Sequence, residues 1–173
     1  MKKLYRISTL LYVSALVIIV IINGWRPDKM ISVSIGSKTW SQQLFLVLSL
    51  FYAAMLVFYL GAIANRYKSL LFKLVTLFVS GCLVVMALCP ATRLDNPKTT
   101  IHIYASFLLT LAILFLYLLY HLKAKKRNFC SAFSLITILC IIAYALDRFW
   151  PWCFFYEILY LGSFILEADG WYP

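Results

Sequence analysis

Residues 101–121 read IHIYASFLLTLAILFLYLLYH, with no Asp, Glu, Lys or Arg among them. As a helix rising 1.5 Å per residue, this stretch is about 31 Å long. The hydrocarbon core of a bilayer is roughly 30 Å thick. Lys98 precedes the stretch and Lys123 follows it. An apolar run of this length, stopped by charge on both sides, predicts a transmembrane helix.

The rest of the chain repeats the pattern. Of 173 residues, 64% are hydrophobic and 13% charged, and the mean hydropathy is +0.91. A soluble domain is about half apolar and a quarter charged. The composition therefore excludes an ordinary soluble globule, a disordered chain and a coiled coil. Apolar runs at 4–23, 43–64, 71–89, 101–121, 129–146 and 149–166 predict an all-α, polytopic transmembrane bundle of six spans. Together they form a single integral membrane domain over 1–173, with no room for a soluble one. The last two runs are about 27 Å each as helices, which suits a thin or locally adapted bilayer. The sixth contains Glu157 and begins Trp150-Pro151-Trp152. Five spans plus a re-entrant segment are the alternative.

The first run follows Met1-Lys2-Lys3-Leu4-Tyr5-Arg6 and resembles a signal peptide. No small-x-small cleavage site follows it; Asn23, Gly24, Trp25 and Arg26 come next. It reads as a retained first span.

Net charge is +10. In a soluble chain this would point to nucleic acid, but Lys and Arg also set membrane topology. One set of loops carries ten basic residues: Lys2, Lys3, Arg6, Arg66, Lys68, Lys73, Lys123, Lys125, Lys126 and Arg127. The other set carries six: Arg26, Lys29, Lys38, Arg93, Lys98 and Arg148. The richer side is expected to be cytoplasmic, with both termini on it. Trp25, Trp40, Trp150 and Trp152 then fall at the outer interface and Trp171 at the inner one, where indole rings prefer to lie. Short outer loops and the lack of a cleavable signal fit a bacterial inner membrane. The longest outer loop, 24–42, contains the alternating Ser32-Val33-Ser34-Ile35, consistent with a short hairpin.

Cys82, Cys89, Cys130, Cys140 and Cys153 form no CxxC pair and read as packing residues. Cys89 and Cys153 fall near one membrane face, so a disulfide between them is an option.

Polar residues align within the spans. His102, Ser106, Thr110, Tyr117 and His121 share one face of span four, and Tyr156, Tyr160, Ser163 and Glu167 one face of span six. Span five aligns Ser131, Ser134, Thr137, Tyr144 and Arg148, and span one Ser8, Tyr12 and Asn23. Helix packing alone accounts for the hydroxyls, because small polar residues let helices approach and bond. Ionisable groups argue for more. Glu157 lies eight residues into the sixth run, roughly 12 Å from its start. A carboxylate at that depth needs a partner, water or a proton. His102, Asp147, Arg148, Glu157 and Tyr160 are the candidate functional site. A general acid–base or metal site made of His102, Asp147 and Glu157 is one version of it. No HxxxH or HExxH supports a metal, and no Walker A, GxSxG or kinase signature is present. His102 and His121 are about 28 Å apart along one helix and cannot share a haem. No cofactor, no metal and no nucleic-acid partner is expected.

The stretch from Cys89-Pro90 through Pro97 to His102-Ile103-Tyr104-Ala105 resembles the FRAG–DRAM–SFK group of six-span membrane proteins and related bacterial families of unknown function. In these, a third span ends near a Pro or polar loop and a His-x-x-Ala-like element opens the fourth. Tyr156-Glu157-Ile158-Leu159-Tyr160 is similar to the acidic element of their last span. The resemblance covers the later half of the chain. The charged tail Glu167-Ala168-Asp169-Gly170 and the short fifth span depart from the pattern. It implies a membrane protein linked to lipid organisation or trafficking and identifies no substrate.

Three functions are therefore in competition. The first is a non-enzymatic bundle that binds lipid, a membrane protein partner or a second copy. The second is a small proton-coupled transporter using Glu157. The third is an outer-leaflet lipid-modifying enzyme using His102, Asp147 and Glu157. The absence of catalytic motifs favours the first.

Overall fold

Lipid offers no partner to a peptide N–H or C=O, so a chain in a membrane satisfies them inside helices. The computed structural model describes residues 2–24, 31, 35, 37–91, 96–124, 132–146 and 153–171. Among these are six helices: α1 (Lys2–Ile22), α2 (Thr39–Arg66), α3 (Leu70–Leu88), α4 (Pro97–Lys123), α5 (Ala132–Ala145) and α6 (Cys153–Asp169). No strand occurs among the described residues. The first four helices are long and apolar enough to cross a membrane. The protein is an all-α integral membrane bundle. Its exterior agrees: Leu10, Phe58, Leu70 and Leu166 are each at least 67% exposed, as side chains facing lipid are.

Local chemistry sets the helix ends. Gly24, at φ 84°, takes the left-handed conformation that stops α1. The Ser69 side chain accepts from the Phe72 N–H at the start of α3, and Asn96 accepts from the Lys98 N–H at the start of α4, where Pro97 needs no partner. Helices α2 and α4 begin before their apolar runs, at Thr39 and Pro97 rather than 43 and 101. Asn96 caps the polar first turn of α4; Lys38 gives α2 no side-chain cap, and there Ser41 donates to the Lys38 and Ile35 carbonyls. Helices α5 and α6 are shorter than the runs predicted, about 21 Å and 26 Å.

Helix α2 packs against α1 and α3, α3 against α4, and α6 against α5 and α1. Hydroxyl groups serve this packing as expected. Tyr12 on α1 bonds Ser49 on α2 at 3.2 Å, and Ser80 on α3 donates to the Ala53 carbonyl on α2 at 3.3 Å. Ser8, Thr76, Thr137 and Ser163 donate to carbonyls three or four residues earlier in their own helices.

The expectations for Trp171 and for the Cys89–Cys153 disulfide change. Trp171 is not an interfacial indole: it is 3% exposed, stacked on Tyr120 and edge-on to Phe72 and Phe164. The turn at Gly170 and Trp171, bonded back to Glu167 and Ala168, tucks the ring into the bundle. The hairpin over 32–35 lies mostly outside the described residues, but Ile35 is helical and fully buried. Ile31 is helical too, and both line the cavity described next. Cys89 is a free cysteine and is not paired with Cys153.

Candidate functional site

A cavity of about 180 Å³ lies among α1, α2, α3, α4 and α6. Its walls are mainly Leu, Ile, Val and Phe. His102, Glu157 and Tyr160 all face it, together with Ser106 and Thr110. Three of the five residues expected at a site therefore meet in one place. Asp147 and Arg148 lie outside the described residues.

His102 is 2% exposed. Its Nδ1 is 3.0 Å from the Met86 carbonyl and 2.9 Å from the Cys89 carbonyl. Both belong to the last turn of α3, whose carbonyls lack partners within the helix. A carbonyl only accepts, so Nδ1 holds the ring proton and donates to both. His102 thus caps the end of α3 from the second turn of α4.

Glu157 is half-buried, and its Oε2 accepts from the Ile31 N–H at 2.9 Å. The bond ties the segment after α1 to the start of α6. Because α6 begins at Cys153, Glu157 is about 6 Å from the helix start rather than 12 Å. That puts it in the second turn of α6, just beyond the first turn in which a helix dipole acts. Glu157 and His102 are not hydrogen-bonded to each other.

Tyr160 donates its hydroxyl to the Thr110 carbonyl at 3.0 Å, joining α6 to α4. Ser106 donates to the His102 carbonyl at 2.9 Å and Thr110 to the Ser106 carbonyl at 3.0 Å. The polar stripe of α4 is therefore two sites rather than one. Its His102–Thr110 part lines the cavity, while Tyr117 and His121 join a separate cluster.

That cluster was not foreseen from sequence. Tyr5 stacks on Tyr59 with centroids 3.9 Å apart, and Tyr120 on Trp171 at 4.4 Å. The Tyr59 hydroxyl donates to the Ala168 carbonyl at 2.9 Å. Arg6 grips Asp169 through two parallel bonds of 2.7 and 2.6 Å. His121 Nε2 is 3.4 Å from Glu167 Oε1. The Arg6 guanidinium holds the Asp169 carboxyl below the usual carboxylate range. No group of three His, Cys, Asp or Glu side chains is placed to hold a metal among the described residues.

Compared with known protein families, with curated proteins and with solved structures, the chain has no match.

Proposed function

We propose that this protein binds a small lipid-like molecule in the cavity of a six-span bundle and performs no chemistry on it. The cavity is the observation that carries the reading. An engineered apolar cavity of about 150 Å³ admits benzene, so 180 Å³ suits a length of hydrocarbon chain. It is small beside the roughly 300–1,000 Å³ of ordinary ligand sites. Its mainly apolar wall suits a hydrocarbon better than a sugar or nucleotide. The resemblance to the FRAG–DRAM–SFK group, with its link to lipid organisation, is in keeping with this.

We read both termini as cytoplasmic from the ratio of ten to six basic residues between the two sides, and the membrane as a bacterial inner one from the short outer loops. Six spans are favoured over five by α6 itself. It contacts Ile31 through Glu157 near one end and Arg6 through Asp169 at the other. The two contacts are about 18 Å apart along α6.

Native mass spectrometry of the protein from lipid nanodiscs tests the reading. One adduct the size of a short-chain amphiphile is expected per wild-type chain, and none on Leu109→Trp, which puts a larger side chain in the cavity wall. A wild type without an adduct, or one that survives Leu109→Trp, would sink it. Proton-coupled transport is the second reading, favoured by Glu157 and His102 sharing one cavity. It requires proton flux in liposomes that Glu157→Gln abolishes.

A further inference from the structure

The polar side chains that α4 and α6 bring to the cavity have a common feature: their hydrogens are committed to the protein, whereas Tyr12 and Tyr52, on its α1 and α2 walls, bond Ser49 and Thr9. Ser106, Thr110 and Tyr160 each own one hydroxyl hydrogen, and each directs it at a backbone carbonyl. The Nδ1 hydrogen of His102 lies between the carbonyls of Met86 and Cys89. In a neutral imidazole that leaves Nε2 as an acceptor. Glu157 accepts from the Ile31 N–H, and once a cationic head holds it ionised its carboxylate has acceptor sites only. What these five groups hold in reserve is lone pairs.

We infer that the cavity selects an amphiphile whose head is a hydrogen-bond donor, an amine or an alcohol, over one with an anionic acceptor head. The inference rests on the lipid-binding reading and names the ligand class. An ammonium head donates to Glu157 in a charge-assisted bond. A carboxylate or phosphate head meets lone pairs and a like charge. The polar end of the cavity is at His102 and Glu157. From there the wall continues to Ile113 on α4 and Ile165 on α6, about 16 Å and 12 Å along the two helices. The tail of the ligand takes that direction.

Photolabelling in phosphatidylcholine nanodiscs tests this. Three probes with the same diazirine-bearing tail carry an amine, an alcohol or a carboxylate. Unlabelled octylamine, octan-1-ol and octanoate compete. Labelling is read on the peptides holding Leu109, Ile113 and Ile165. Octylamine is expected to compete at least about tenfold better than octanoate, with octan-1-ol between them. Glu157→Gln keeps an oxygen for the Ile31 N–H but adds a donor. In that variant the amine-to-carboxylate preference is expected to fall to within about twofold. The ratio of wild type to variant cancels differences in how the probes enter the bilayer. Size-exclusion and thermal unfolding confirm that the variant is folded, and His102→Gln offers a second route to the same loss. Equal labelling by all three probes, or a preference untouched by Glu157→Gln, overturns donor selection and leaves cavity binding standing. No labelling of these peptides by any probe overturns both.

Discussion

At the end of the bundle that carries Arg6 and Asp169, Tyr5 lies on Tyr59 at 3.9 Å and Trp171 on Tyr120 at 4.4 Å. Toward the other end, side chains of the same types surround about 180 Å³ that they do not fill. Tyr, His and Glu occur in both regions, so composition does not explain the contrast. Partner choice does. In the first region contacts cross between helices: Tyr59 reaches Ala168, Arg6 reaches Asp169, and His121 faces Glu167. Each draws two helices together. Beside the cavity His102 and Tyr160 also reach across, to the end of α3 and to α4, but Ser106 and Thr110 bond within their own helix. A hydroxyl satisfied by its own backbone exerts no pull on a neighbour.

This contrast is open to direct attack. The largest effect is expected from Trp171→Ala. It removes a buried ring that touches Tyr120, Phe72 and Phe164, and such truncations destabilise by about 3–5 kcal/mol. Reversible unfolding in mixed micelles would read the loss. A change below about 1 kcal/mol would mean the aromatic cluster does not hold the bundle.

Enlarging a side chain should have opposite outcomes in the two regions. Ala168 is fully buried, and Ala168→Leu is expected to destabilise by about 1–3 kcal/mol through overpacking. Leu109→Phe adds volume where space exists, so thermal unfolding should move little or rise. Equal destabilisation by both would show that the cavity closes in the membrane.

The smallest effect concerns acidity. Asp169 has a folded pKa below its unfolded value because Arg6 bonds it. A carboxyl lowered in this way stabilises the fold fully above its unfolded pKa of about 3.9, and the contribution is lost as pH falls through the lower folded value. Unfolding measured between neutral and strongly acid pH should show this loss in the wild type. The loss should be missing in Asp169→Asn, which has no such carboxyl to titrate. An exposed pair is worth little, so a steep acid transition that survives in Asp169→Asn must come from another group.

The helices of this protein are legible because a run of about 20 apolar residues has few alternatives in water or lipid. Their ends are less so. Thr39 to Gln42 and Pro97 to Thr100 are polar yet helical, since a first turn can hydrate at the interface. His102, Glu157 and Tyr160 could be found by asking which polar groups line up inside apolar runs, and all three reached one cavity. What they surround could not be found that way, because a void is a property of how helices meet. The other region was missed for a different reason. Glu167 and Asp169 look like a solvated tail until their partners are known, and those lie 46 and 163 positions away. No local spacing announces such a pair. Trp171 was misplaced because an indole after an apolar run is ordinarily interfacial, whereas here the following turn folds it inward.

The bond between Arg6 and Asp169 also sets a timetable. The two residues are 163 positions apart, and synthesis at about 5–20 residues per second separates them by roughly ten to thirty seconds. During that interval the face of α1 that receives α6 is without that partner. Whatever escorts a nascent chain at the translocon has that window in which to hold α1, and the arrival of Asp169 ends it.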